Sequence, residues 1–428
     1  MTMQKKSFDR IGESLFFSEL PNGLHVQVIP KPGFAVSFAA FATNYGGAHR
    51  RFSVDGVMQD TPAGVAHYLE HKMFDLPDGD NALALLSANG ADPNAFTSSG
   101  MTAYYFQSTA HFEENLRLLL HFVSTPYFTA ETVQKERGII GQEIRMGEDD
   151  PGIALYYGLL RMLYARHPIR DRVAGTVESI AQITEQTLYD CHRIFYAPSN
   201  MALCVAGDVD PERIAAIAEE LLPVERAPIP KADFGEAEDL LPLRQRLHLQ
   251  MPVSAPQFLI GTKLKAESDG PAALRQRLVS TLALRTLVGS SSPFYTGLYG
   301  KGLLNRDYDY EADFTAGTGT VILGGESPDP EAVFAALQEA VAEVARSGLD
   351  RDRFSRAKRA SLGARLRGLE DFDSLCIANA AGVFNGYCAL DALSVLETIG
   401  QGECEAFLAD ALAPERLALA VMDAKGGS

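Results

Sequence analysis

The sequence predicts an α+β protein of two tandem homologous halves, each a mainly antiparallel sheet with helices packed on one face. Three observations lead there. The chain has 428 residues, too many for one hydrophobic core and suited to about two domains. Segments of the first half recur in the same order about 216 to 223 residues later. Alternating strand patterns mix with amphipathic helices but keep no regular strand-helix-strand rhythm, which favours α+β over a doubly wound parallel sheet.

The first half opens on a strand around Leu24-His25-Val26-Gln27, echoed in the second by Leu247-His248-Leu249-Gln250. Thr102 to Ser108 reads as a strand leading into a helix through Glu113 and Leu120. Its counterpart, Thr318 to Gly325, leads into a helix opened by Pro328-Asp329-Pro330-Glu331, with proline in the first turn, where its missing N–H costs nothing. Each half closes on a related stretch, Ala197-Pro198-Ser199-Asn200-Met201-Ala202-Leu203-Cys204-Val205 and Ala413-Pro414-Glu415-Arg416-Leu417-Ala418-Leu419-Ala420-Val421. A period near 220 residues means duplicated domains, not a solenoid. Between the copies, Pro223, Pro228, Pro230 and Pro242 stand among Glu225, Asp233, Glu236, Glu238 and Asp239. That proline-spaced, acidic stretch reads as a linker unable to pack a core. The expected division is therefore 1–223, a linker at 224–245, and 246–428.

Composition narrows the function. The apolar and charged fractions, 46% and 22%, are ordinary for a globular protein. No apolar run approaches the ~20 residues of a membrane span, so no membrane association is expected. Lys5 and Lys6 have no apolar core behind them, which argues against a signal peptide and for the cytoplasm. Cys191, Cys204, Cys376, Cys388 and Cys404 form no C-x-x-C pair and read as small buried apolar residues. A net charge of −17 argues against nucleic acid, whose phosphates need a cationic face. A solvated acidic surface is the simplest account of that charge, and a taste for basic peptides is the alternative.

The sharpest signal is His67-Tyr68-Leu69-Glu70-His71. On a helix, His67, Glu70 and His71 fall within an arc of ~100°, so two imidazoles can grip one metal ion with a carboxylate beside them. This H-x-x-E-H order reverses the H-E-x-x-H zinc-protease helix. A catalytic zinc site also needs a third protein ligand and one open position for water. Glu136 and Glu143 are the candidates, on a segment whose Val133, Ile139, Ile140 and Ile144 suggest a helical apolar stripe. Seven residues apart, the two glutamates share a face but lie ~10 Å apart along the axis. Only one can touch the ion, and the other could orient a ligand.

H-x-x-E-H with a glutamate pair some seventy residues later resembles the pitrilysin/insulinase family of inverted-zincin metallopeptidases, and the resemblance spans essentially the whole chain. It implies one zinc ion per chain held by His67, His71 and Glu143, with Glu70 as general base and Glu136 as supporting acid. Asn94-Ala95-Phe96-Thr97-Ser98 resembles the family's substrate-pairing edge strand, and Gly175-Thr176-Val177-Glu178-Ser179-Ile180 is a further local match. Lys135 to Ile144 is similar to a bacterial branch of two-gene peptidases, some associated with aminopentanol modification of elongation factor P. The second half has no such site. No histidine follows His248, and Ala357 and Ala364 fall where Glu136 and Glu143 stood.

The resemblance implies a zinc endopeptidase for short or unfolded peptides, laid extended along Asn94 to Ser98. One departure stands out. The family draws an arginine and a tyrosine from its second domain or a partner, and here Pro293 and Asn305 take those places, with Tyr295, Tyr299 and Arg306 out of register. A heterodimer with a homologous chain that lacks H-x-x-E-H but carries the Arg/Tyr pair is therefore expected. The alternative is a non-catalytic scaffold or peptide-binding subunit, against which the complete set His67, Glu70, His71 and Glu143 argues.

Overall fold

The computed structural model of the chain describes residues 2–424. The strands of the first half are β1 (Gln4–Phe8), β2 (Glu13–Glu19), β3 (His25–Pro30), β4 (Ser37–Thr43), β5 (Arg51–Val54), β6 (Val57–Asp60), β7 (Ala91–Thr97), β8 (Thr102–Ser108) and β9 (Met201–Gly207). After β10 (Lys231–Ala232) come β11 (Arg246–Met251), β12 (Gln257–Lys265), β13 (Asp309–Thr315), β14 (Thr318–Glu326) and β15 (Ala418–Ala424). Among the described residues they form three sheets, ordered β1-β2-β3-β9-β4-β8-β7, β10-β5-β6 and β11-β15-β12-β14-β13. Two pairs, β3 with β9 and β11 with β15, are parallel, and the others are antiparallel. The duplication is explicit in this order. The run β3-β9-β4-β8-β7 is repeated by β11-β15-β12-β14-β13, with the parallel pair at the same end.

The echo of Leu24-His25-Val26-Gln27 proves to be out of register. His25 stands opposite Ala202, whereas His248 stands opposite Val421, three residues beyond the equivalent Ala418. Three is odd, and side chains alternate between faces, so the echoed residues point to opposite sides of their sheets. Val26 and Val28 face the helices of their own half, while Leu247 and Leu249 face a helix from the other half.

Two compact units result, and they are not the contiguous segments expected. One comprises Met1–Ile144, Arg172–Phe234 and Leu366–Leu390; the other comprises Arg145–Asp171, Gly235–Arg365 and Asp391–Ser428. Two-sided burial of the sheets is the reason. Every residue of β4 and of β9 is buried, so both faces of that sheet need cover. Helices of the first half cover one face, over Phe41, Leu203 and Val205. On the other, Phe38, Ala40, Ala42, Ala202 and Cys204 meet Phe372, Leu375, Cys376 and Ala380 of the helix Phe372–Phe384, which comes from the second half. In the other unit the loan is returned. Leu155, Leu159 and Leu163 of the helix Pro151–Leu163 pack on Ile322, Ala418, Ala420 and Met422. Helices of each half thus cover one face of its own sheet, as expected, and a borrowed helix covers the second.

The linker at 224–245 is tied to each unit by defined contacts. Within the first unit β10 pairs with β5, and the Asp233 N–H donates to Arg51 O at 2.8 Å. Within the second, the Glu238 carboxylate accepts the N–H groups of Ala165, Arg166 and His167 at 2.6–2.7 Å. Its polar residues pack no core, but they satisfy backbone groups that would otherwise need water. Among the described residues no helix is long and apolar enough to cross a membrane.

Candidate metal centre

The H-x-x-E-H motif lies on a helix of eight residues, Val65–Lys72. So short a helix is not stable alone and depends on packing. Val65, Ala66, Tyr68, Leu69 and Lys72 are buried, leaving His67, Glu70 and His71 on the opposite, half-buried face. Its N-cap, Gly64, has φ 99°, where a side chain would be strained, and an added Cβ would come within 2.7 Å of Ala174 O. Reciprocally, a Cβ on Gly175 (φ +75°) would meet Ala63 O at 2.5 Å, and Ser179 Oγ donates to that carbonyl at 2.8 Å. The Gly175–Ile180 motif thereby has a physical meaning: it is the surface on which the metal-motif helix starts.

The helix Ala130–Glu148 carries both glutamates. Val133, Gly141, Ile140 and Ile144 are its buried side. Ile139 does not belong to that stripe. One residue off the helical period, it points outward and is 48% exposed. The Tyr68 hydroxyl donates to Val133 O and so fixes one helix against the other.

Together the two helices place His67, His71 and Glu143 so that one donor atom from each lies within 4.8 Å of the others. His67 Nε2 is 3.3 Å from Glu143 Oε1, and His71 Nε2 is 3.5 Å from Glu143 Oε2. Glu136 stands on the far side of His71, with Oε1 3.0 Å from Nδ1. An Nδ1–H donated to Glu136 leaves the Nε2 lone pair aimed at the shared point, the arrangement a metal-bound histidine requires. Among the described residues, His67 Nδ1 is buried without a hydrogen-bond partner. Two imidazoles and a carboxylate converging on one point fit a zinc ion of catalytic type.

The electrostatics favour a cation. Burial opposes protonation of His71, but the hydrogen bond and charge of Glu136, with the charges of Glu143 and Glu70, outweigh it and raise its pKa. The His71 hydrogen bond holds the Glu136 carboxyl below its usual range, against the effect of burial. The His67 hydrogen bond does the same for Glu143. Three carboxylates around two imidazoles make a site of negative potential, which a bound cation would neutralise.

Glu70 is not one of the three converging donors. Its Oε2 accepts the Thr97 hydroxyl at 2.5 Å, and among the described residues Oε1 has no protein donor. Thr97 ends β7, the open edge of the seven-stranded sheet. Of the strand residues singled out in the sequence, Ala95 and Thr97 face the metal-motif helix side, where Ala95 packs on the first core. Phe96 packs on the opposite face, and alternation puts Asn94 there too. The Ala95 N–H donates to Asn94 Oδ1 at 2.8 Å. The Thr97–Glu70 bond is the feature the sequence reading missed, since Thr97 is a substrate contact there and nothing in the spacing links it to Glu70.

In the second unit, Pro293 begins the helix Pro293–Gly300 and offers no side-chain donor. Asn305 Nδ2 lies 3.1 Å from Glu326 and 3.3 Å from Asp307, and Tyr295 donates its hydroxyl to Asn305 O at 3.0 Å. Ala357 is buried on the helix Arg351–Arg367, where no carboxylate replaces Glu136.

The fold and the three converging donors suit a metallopeptidase, and the comparisons name the family. Residues 54–177 match the family described as Insulinase (Peptidase family M16), and residues 182–361 match the Peptidase M16 inactive domain. The chain is 37% identical over 421 residues to the uncharacterized zinc protease YmfH of Bacillus subtilis, covering 96% of each. An M16-like peptidase from Alicyclobacillus acidocaldarius superposes with a TM-score of 0.92 at 32% identity, over 99% of both chains. Pitrilysin shares the fold, with a TM-score of 0.77 at 16% identity, and this chain spans 46% of its length. The chain belongs to the pitrilysin/insulinase family, peptidase family M16.

Proposed function

We propose that this protein is a zinc-dependent endopeptidase for short or unfolded peptides. His67, His71 and Glu143 hold one zinc ion per chain, and Glu70 is the general base. The observation that carries this reading is the meeting of three donor atoms within 4.8 Å, with Glu70 on the same helix face as both imidazoles. Zinc, when bound, lowers the pKa of a water molecule and polarises the scissile carbonyl. Glu70 takes the proton of the attacking water on its free oxygen and passes it to the leaving amine. Glu136 keeps His71 in the ligating tautomer. The open edge of β7 receives the substrate as an added strand, so recognition runs through backbone pairing and favours extended chains over any one sequence.

The active species is a heterodimer. Pro293 and the fully engaged Asn305 leave the second unit without an Arg/Tyr pair at those positions, and a homologous chain lacking H-x-x-E-H supplies it. Five free cysteines accord with a reducing compartment, the cytoplasm. A scaffold or peptide-binding subunit of a processing complex is the rival reading. Its support is the match of 182–361 to an inactive domain, a span that excludes His67, Glu70, His71, Glu136 and Glu143. Zinc content measured beside cleavage of a quenched peptide separates the two. Glu70→Gln keeps zinc and peptide binding and loses turnover, because the amide conserves shape but takes no proton. Turnover near wild type in that variant removes Glu70 as the base.

A further inference from the structure

We infer that Thr97 is a positioning residue that holds the Glu70 carboxylate and ties the base to the strand that receives the peptide. This rests on Glu70 acting as general base. A glutamate on the half-exposed face of a short helix has three side-chain torsions and many staggered states. A hydroxyl donating to its charged oxygen at 2.5 Å is a short, charge-assisted bond, strong enough to select one of them. It engages Oε2 and leaves Oε1 for the proton in transit.

Thr97 is itself held firmly. Its side chain is β-branched and stiff. Across the hairpin it pairs with Thr102, which is fully buried, and the two hydroxyl oxygens are 3.2 Å apart. The Thr102 hydroxyl also lies 2.9 Å from Tyr45 O. The turn beyond Thr97 closes with Ser98 N–H on Met101 O at 2.8 Å. Beneath it, Gly47 and Ala48 donate N–H groups to Ser98 O and Ser99 O at 2.9 and 3.0 Å. A Cβ at Gly46 would strike Ser98 O at 2.4 Å, so that loop is pressed against the turn. The hydroxyl that fixes Glu70 is thus anchored by a hairpin and a loop, independent of the helix that carries the glutamate.

The coupling follows from strand geometry. Thr97 sends its side chain to Glu70 while its backbone belongs to the open edge. A peptide paired along that edge orders the same residue that orients the base. Binding and proton transfer then share one element.

The test uses the full-length, zinc-loaded protein in whichever assembly cleaves a quenched peptide. Thr97→Val keeps shape and removes the hydroxyl, and Thr97→Ser restores it. Thr97→Val is expected to lower kcat on the order of tenfold or more, with KM unchanged. Zinc content, and affinity of the zinc-free protein for a non-hydrolysable peptide, should stay at wild-type values. Thr97→Ser should recover most of kcat, and Thr97→Val should add little to Glu70→Gln. Thr97→Ala carries the same test if the valine disturbs folding. A raised KM with unchanged kcat makes Thr97 a substrate contact and overturns the inference, as does wild-type kcat without the hydroxyl. If Glu70→Gln itself turns over normally, the proposed base fails, a result distinct from either of these.

Discussion

The Glu136 carboxylate meets His71 Nδ1 at 3.0 Å, and the other ring nitrogen of His71 faces Glu143 at 3.5 Å. One glutamate of the pair lies behind the histidine and the other before it, which is how residues seven apart on one helix can serve a single ion. Glu136→Gln still accepts or donates a hydrogen bond but loses the charge that favours the Nδ1–H tautomer. Zinc affinity should fall by about 10–100-fold, measured by competition with a chelator of known affinity. Unchanged affinity would reduce Glu136 to a surface group.

His67→Ala, His71→Ala and Glu143→Ala should each leave the purified protein without stoichiometric zinc, since a three-ligand site cannot lose one and still hold the ion tightly. Chelation should abolish cleavage in the same preparations. Metal analysis decides the ligand assignment, and full zinc in Glu143→Ala would move the third ligand to Glu136.

Gly175→Ala should destabilise the first unit by roughly 1–3 kcal/mol, because φ +75° and a contact of 2.5 Å with Ala63 O both oppose a side chain. Gly12→Ala is the control. It has a similar φ, +69°, with nothing within 4 Å of the added carbon, and should show the backbone cost alone. Urea unfolding midpoints report the difference. Zinc content should fall with Gly175→Ala if the start of the metal-motif helix moves.

The isolated chain should bind zinc and cleave peptides poorly. Loss of one oxyanion donor typically costs a hundredfold or more in rate, and a partner bearing the Arg/Tyr pair should restore it as kcat. Substitution of that pair in the partner should remove the gain. Full activity of the isolated chain at nanomolar concentration contradicts the heterodimer and points to Tyr295, Tyr299 or Arg306.

Local rules were enough to single out the helix of the candidate metal centre. Histidines at i and i+4 with a glutamate between them share a helix face wherever that helix folds, so His67, Glu70 and His71 could be read from spacing alone. The pairing of Glu136 and Glu143 was equally legible, because helical period fixes which two positions align. The duplication was legible too, since repeated order survives drift in sequence. Where spacing failed, as with Ile139 and the echo at His248, an offset of one residue on the helix or three on the strand changed the face, and no local signal carries that information.

What the sequence determined by itself was confined to single elements: the helix face shared by His67, Glu70 and His71, the alignment of Glu136 and Glu143 on another helix, and the fact of two halves. Tertiary structure alone decided the relations between elements distant in the chain. It seated Thr97 on Glu70, set Gly175 against Ala63, and exchanged the helices Pro151–Leu163 and Phe372–Phe384 between the halves. The physical reason is that hydrogen-bond and periodic rules act over a few residues. Close contacts and the burial of a second sheet face depend on which surfaces meet, and only the folded chain determines that.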